Sequence, residues 1–336
     1  MKARIEAVAT AFPESELSDE KLEQEHPEWN VRKLGRTTGI KNRNVAGDEV
    51  MSSDLAAQAA LRLFEENGID PKSIDYLLLC TQSPDFPLPT TACVVQNAVG
   101  MRTSVGAVDI NLGCSGFVYS LAFAKGLIET GQASTVLVIT VETFSKFANP
   151  DDKATRPIFG DGASAVLVSS DPSERDFLDG FVLGTDGEGG KHLVVPAGSL
   201  ADGKRISAGS PASVRELESN GYDMYMDGTE IFNFTLRVVP DCVDQVLSKA
   251  NLTLDEIDHV IFHQANGFLI EHLRKKLEIP REKFLISMAD YGNTGSSTIP
   301  IVLHDALKDA KISRGDKVLV VGFGVGLSWG GAVLTW

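Results

Sequence analysis

One frame occurs twice in this chain: a helix end, a polar turn, Ile-Asp and then an apolar strand. Its first copy is Ile69-Asp-Pro-Lys-Ser-Ile-Asp-Tyr-Leu-Leu-Leu-Cys80, behind a helix predicted over Ser52 to Asn67. Its second is Leu252-Thr-Leu-Asp-Glu-Ile-Asp-His-Val-Ile-Phe-His263, behind a helix predicted over Val238 to Ala250. Further on, Lys317-Val-Leu-Val-Val-Gly322 mirrors Val136-Leu-Val-Ile-Thr140. A chance Ile-Asp match would not bring three correspondences in the same order, so the chain reads as a duplication.

The intervening elements fit two alternating α/β halves. Strands are predicted over Ile5 to Ala11, Ser104 to Ile110, Thr135 to Val141 and Ala163 to Ser169, with helices over Ser18 to Glu25, Thr91 to Val99 and Phe117 to Thr130. Trp29 to Ile40 reads as a polar, glycine-punctuated segment. Strands alternating with helices imply an α/β fold of mostly parallel sheets covered by helices, with functional residues at strand ends. The halves are drawn at 1–170 and 220–336. Between them 171–219, polar and glycine-rich, reads as a connecting region with irregular or edge structure.

A chain of 336 residues, 43% hydrophobic, can supply a core to each half. Lys+Arg 31 against Asp+Glu 46 gives a net charge of −15, which argues against nucleic acid as a partner. The same charge suits an acidic protein partner only if a local basic patch exists. The four cysteines, Cys80, Cys93, Cys114 and Cys242, show neither a disulfide framework nor metal-ligand spacing. Met1-Lys-Ala-Arg-Ile-Glu-Ala is too charged for a signal peptide, and no run approaches a membrane span, so a reduced, cytoplasmic protein is expected.

Chemistry concentrates in four stretches. Asn111-Leu-Gly-Cys-Ser-Gly-Phe117 puts Cys114 between a strand and a helix N-terminus, where N–H groups and the helix dipole favour a thiolate. A buried structural cysteine is the alternative. His263 ends an apolar strand in His263-Gln-Ala-Asn266, with polar Gln264 and Asn266 beside it; taken alone it could be a packed histidine. Tyr291-Gly-Asn-Thr-Gly-Ser-Ser-Thr-Ile-Pro300 lets Asn293 face a cavity, or is an ordinary helix-capping loop. Gly322-Phe-Gly-Val-Gly-Leu-Ser-Trp-Gly-Gly331 is a glycine-rich turn between strands. It lacks the Lys-Ser/Thr of a P-loop and no helix follows it, which excludes a phosphate cradle of that type.

Together these four motifs resemble the thiolase-like condensing enzymes, most of all the ketoacyl-acyl-carrier-protein synthase III group. The resemblance spans the chain, from Trp29 and Thr38-Gly39-Ile40 through Phe159-Gly-Asp-Gly162 to Ser328-Trp329-Gly330. It implies the thiolase-like fold, two pseudo-symmetric halves in an α-β-α-β-α layering, and a catalytic set of Cys114, His263 and Asn293. By that likeness an acyl group from acyl-coenzyme A loads on Cys114. A decarboxylative Claisen condensation with malonyl-acyl-carrier protein or malonyl-coenzyme A then follows, without metal or organic cofactor. The turn Gly324-Val325-Gly326 would hold the oxyanion with the Cys114 N–H. Trp29, Lys153 and Asn266 would contact coenzyme A, Lys275 and Lys276 an acyl-carrier protein, and Leu88 the acyl pocket across a homodimer interface.

Several positions depart from the family pattern. Thr37 stands where Arg is usual, Lys153 for a stacking Arg, Phe268 for a basic residue and Asn233 for a Lys. These touch recognition and leave the catalytic set intact. Two other functions remain open on sequence: an acyltransferase that passes the Cys-bound acyl group to an oxygen or nitrogen nucleophile, and an inactive partner subunit.

Overall fold

Apolar strand runs without polar alternation must bury both faces, and each long run here does so between two layers of helix. The computed structural model describes residues 1–196 and 223–336. The first half contains β1 (Lys2–Ala11), β2 (Glu16–Ser18), α1 (Asp19–Glu25), α2 (Val31–Thr38), β3 (Asn42–Asn44) and α3 (Ser52–Asn67). It continues through β4 (Tyr76–Cys80), α4 (Thr91–Ala98), β5 (Gly106–Ile110), α5 (Gly116–Glu129), β6 (Thr135–Glu142) and β7 (Gly162–Asp171). The second half contains β8 (Leu178–Thr185), β9 (Leu193–Val194), β10 (Tyr225–Met226), α6 (Gly228–Ala250) and β11 (His259–Phe262). It closes with α7 (Gly267–Lys276), α8 (Thr298–Lys308), β12 (Lys317–Gly324) and β13 (Ser328–Thr335).

The two main sheets have the orders β1-β7-β6-β4-β5 and β11-β12-β13-β8. In the first, β6 is parallel to β4 and antiparallel to β7, which is antiparallel to β1. The second repeats this: β12 is parallel to β11 and antiparallel to β13, which is antiparallel to β8. The duplication seen in β4/β11 and β6/β12 therefore extends to β7/β13 and β1/β8. Sheets expected to be mostly parallel are mixed. The reason is local: β12 and β13 are joined by Val325, Gly326 and Leu327 alone, too short for a parallel crossover.

Period-two alternation sorts each strand between cores. In β4 Leu78 packs in the central cluster, whereas Leu77 and Leu79 face outward onto Leu55, Ala59 and Leu63 of α3. In β12 Val318 and Val320 face the centre, and Leu319 and Val321 pack with Val239 and Val243 of α6. The central layer is α5 and α8, whose Phe117, Leu121, Ile299 and Val302 fill the space between the sheets. This is the α-β-α-β-α layering. It also explains why the first turns of α5 are apolar, since Phe117, Val118 and Leu121 are wholly buried there.

Three local readings change. The segment over Trp29 to Ile40 contains α2, capped by the Asn30 side chain on Lys33 N and ended by Gly39 at φ 73°. Helix α6 begins at Gly228, ten residues earlier than Val238, with Asp227 as its N-cap. Inside the stretch read as connecting, β8 forms an edge of the second sheet; the stretch's residues 197–219 lie outside those described. Its glycines and the exposed Leu183 disguise the buried alternation of Leu178, Gly180 and Val182. Among the described residues no helix is long and apolar enough to cross a membrane.

Candidate active site

The two central helices start at the same place. Cys114 lies two residues before α5, and Asn293 lies in the loop leading into α8. His263 follows β11, its N–H donating to Val321 O of β12 at 2.8 Å. Their side chains line one cleft of about 470 Å³, together with Thr37, Phe232, Phe268 and Gly324. Beyond Cys114 lies a smaller cavity of about 150 Å³, bounded among the described residues by Gln82, Asn111, Phe144, Phe147, Phe159, Met224 and Val325. Cys114 lines both spaces, so the thiol stands at their junction. A larger groove of about 690 Å³, lined by Arg281, Tyr291, Asp305 and Lys311, contains none of these groups.

Close backbone approach sets the thiol's position. A Cβ on Gly322 would lie 2.6 Å from Cys114 O, and one on Gly324 would lie 2.7 Å from Cys114 Sγ. The end of β12 thus presses directly on the nucleophile loop. Ser328 Oγ donates to Val325 O at 2.9 Å and pairs with Ser115 Oγ at 2.7 Å, which ties the glycine turn to the residue after Cys114. Burial pushes the Cys114 thiol up to about 12, although the Val325 and Cys114 N–H groups act in the opposite sense. The expected thiolate is therefore a neutral thiol at rest, because desolvation of a nearly enclosed sulfur outweighs the helix terminus. Alkylation of Cys114 by iodoacetamide should rise about tenfold per pH unit between about pH 6 and 9. A plateau near neutrality would contradict this.

His263 is buried and its imidazole is pulled down to about 3 by desolvation, so it is neutral at neutral pH. Its Nδ1 lies 2.7 Å from Thr298 Oγ1, and its ring meets Phe323 edge-on at 5.6 Å. Gln264 braces the strand end, donating to Phe262 O at 2.6 Å and accepting from Ser287 N at 3.2 Å. Asn293 is held by backbone bonds to Ile158 O (2.9 Å) and from Gly160 N (3.1 Å). Its Oδ1 accepts from Gly295 N at 3.0 Å, which fixes the amide with Nδ2 as the donor; one Nδ2 hydrogen is directed to Ala265 O at 3.5 Å and the other is left for the cleft.

The remaining predicted positions divide. Asn266 lines the cleft and uses its Oδ1 to cap α7 at Leu269 N, 2.9 Å away. Val325 lines the cavity beside Cys114, and Gly324 lines the cleft. Gly326 completes the turn. Trp29 lies elsewhere: it is buried and stacked on His26 at 3.9 Å, in a small cluster with Leu17, Leu22 and Val31. Lys153 is an exposed residue of the Asp151–Pro157 turn. Lys275 is exposed near Glu271, whereas Lys276 Nζ donates to Leu236 O at 3.1 Å. That carbonyl is the one Pro240 cannot bond within α6. Leu88 is 82% exposed and does not reach the small cavity of its own chain. Thr298, Phe144 and Glu142 were not singled out from sequence, although a Glu closing an otherwise apolar strand was a visible signal.

Two family models match the chain, 3-oxoacyl-[acyl-carrier-protein (ACP)] synthase III over residues 108–187 and its C-terminal counterpart over residues 247–336. The chain is similar to a beta-ketoacyl-[acyl-carrier-protein] synthase III of Caldanaerobacter subterraneus, at 39% identity over 99% of this chain and 98% of that one. It is similar to the protein of the same description from Clostridioides difficile, at 38% identity over 100% and 98%. A crystal structure of a 3-oxoacyl-(acyl-carrier-protein) synthase III superposes with a TM-score of 0.94 at 40% identity, covering 100% of both chains.

Proposed function

Because the chain belongs to the 3-oxoacyl-[acyl-carrier-protein] synthase III family, we propose that it primes fatty-acid or related acyl synthesis by a decarboxylative condensation. The observation that carries this reading is the placement of Cys114 between a cleft holding His263 and Asn293 and a small, largely apolar cavity. In the first step Cys114 Sγ bonds to the acyl carbonyl carbon, the carbon–sulfur bond to coenzyme A breaks, and the released thiol takes the proton. The tetrahedral oxyanion is met by the Cys114 and Val325 N–H groups. In the second, malonyl thioester loses CO₂ and its bonding electrons pass to an enolate. With its Nδ1 accepting from Thr298 Oγ1, the neutral imidazole of His263 carries its proton on Nε2, and that N–H and Asn293 Nδ2 stabilise the enolate by donating hydrogen bonds to its oxygen. The carbanion then attacks the acyl-Cys carbonyl, and the thiolate departs as the 3-oxoacyl thioester forms. These steps call on no metal or organic cofactor.

The recognition surface supports a carrier-protein partner. Arg32, Lys33 and Arg36 of α2 are exposed beside Thr37 at the cleft mouth, and α2 packs against α7, which carries Lys275. This local basic patch suits an acidic partner on a chain of net charge −15. A homodimer and a cytoplasmic site of action belong to the same proposal. The open edge of β5, with Val108 37% exposed and Phe86 and Leu88 nearby in sequence to β4, suits pairing with a second copy.

The apolar lining of the cavity, with Phe144, Phe147, Phe159 and Met224 among the described residues, suits the hydrocarbon part of an acyl group. Intact mass after incubation with acyl-coenzyme A thioesters of graded length is expected to show an acyl adduct on the wild type. Cys114→Ala should show none at all. Adding malonyl-carrier protein to the loaded enzyme should release CO₂ and lengthen the chain by two carbons. An adduct without CO₂ would favour acyl transfer to another nucleophile, and no adduct would favour an inactive partner subunit.

A further inference from the structure

The loop that carries Asn293 is held from the opposite half of the molecule by a carboxyl group outside the reaction described above. Glu142, the last residue of β6, is wholly buried. Its Oε2 accepts from Gln82 N at 3.1 Å and from Ser83 Oγ at 3.1 Å, both in the loop after β4. Its Oε1 accepts from Ser296 Oγ at 3.0 Å, three residues beyond Asn293. The side chain also fills the space beside Gly295, where an added Cβ would lie 2.8 Å from Glu142 Cγ and 2.7 Å from the Phe144 ring. Gly295 is the residue whose N–H fixes the Asn293 amide. Gln82 and Phe144 in turn wall the small cavity beyond Cys114.

We propose that Glu142 is a positioning residue that locks the Asn293 amide in its donating orientation through its hydrogen bond to Ser296 and its packing against Gly295. An ionised carboxylate here would be buried with no cation bonded to it among the described residues, near Cys80 of β4 and the Cys114 thiol, both of which its charge would push up. Burial raises the Glu142 carboxyl to about 8, consistent with a neutral group over the ordinary pH range. A neutral carboxyl keeps all three contacts when its own O–H turns to Ser296 Oγ and that hydroxyl accepts; glutamine does the same, its oxygen accepting from Gln82 N and Ser83 Oγ and its amide donating to Ser296 Oγ.

The catalytic consequence rests on the condensing reading, but the positioning does not. The test therefore pairs hydrogen exchange of the segment 291–298 with CO₂ release from malonyl thioester, in wild type, E142A, E142Q and S296A. In E142A and S296A the Gly295 amide should exchange faster. Their CO₂ release should fall by about 10- to 100-fold, the range expected for a misplaced group, with Cys114 acylation within about threefold of wild type. E142Q should recover both readouts at neutral pH, since its amide fills the same space and can bond the same three partners. Unchanged exchange in both E142A and S296A overturns the proposal, as does loss of protection and rate in E142Q to the level of E142A. A wild type that exchanges as expected but releases no CO₂ would refute the condensing reading and leave the positioning role supported.

Discussion

Gly324→Ala is expected to produce a folded protein whose Cys114 accepts an acyl group at least 100-fold more slowly, a loss of about 3 kcal/mol in transition-state stabilisation. The added methyl would lie 2.7 Å from Cys114 Sγ and 2.9 Å from Cys114 Cβ, closer than carbon and sulfur tolerate. Since the second distance cannot be relieved by rotating the thiol, the turn itself must retreat. Val325 N–H then moves away from the place where the oxyanion forms. Overpacking of this kind costs about 1–3 kcal/mol of stability. Gly126→Ala is the matched control: it lies in α5, with no atom within 4 Å of its added Cβ. It should gain up to about 1 kcal/mol and leave loading unchanged. Intact-mass kinetics of acyl loading with thermal unfolding of both variants reads the difference. Normal loading by Gly324→Ala would remove the glycine turn from the acylation step.

His263→Ala and Asn293→Ala should separate the half-reactions. Each removes one hydrogen-bond donor from the cleft and leaves Cys114, its two N–H groups and the small cavity in place. Decarboxylation of malonyl thioester by the acylated enzyme is expected to fall about 10²–10³-fold in each. Cys114 loading should change by less than about tenfold, since neither group is asked to act on the incoming acyl carbonyl. The double variant should lose less than the product of the two single losses if both donors serve one oxygen. Rapid-quench measurement of CO₂ beside acyl-enzyme mass decides it. Equal losses in both half-reactions would mean that His263 or Asn293 also activates the thiol. That outcome has a physical motive, because the resting thiol is neutral and its proton must go somewhere.

The three candidate residues that share one cleft were legible because each is announced within a few neighbours. Glycines flank Cys114, His263 ends an apolar run, and Asn293 precedes a small-residue helix start. The recognition residues were less legible, and Trp29 illustrates why. An aromatic in a polar segment looks available from sequence, yet it is the pairing of Leu17, Leu22 and Val31 around it that buries it against His26. Lys276 is similar: the Leu236 carbonyl that Pro240 leaves unbonded in α6 engages it, a contact that exists only once α6 and α7 pack together. Conversely α2, missed as a helix, has both its caps in the sequence, with Asn30 at one end and Gly39 at the other.

By itself the sequence determined the duplication and the buried strands and marked Cys114, His263 and Asn293 as candidates, since periodicity, capping and glycine spacing act over a few residues and survive in any context. The tertiary structure alone decided the charge states and the clamps. A helix N-terminus argues for a thiolate at Cys114, but enclosure by β12 and the central layer makes the neutral thiol win. Glu142 reads as a strand-ending charge, and becomes a buried carboxyl only because Ser296 arrives from the other half. Desolvation depends on every atom within several ångströms, whatever its distance along the chain, and that sum exists only once the two halves have closed on each other.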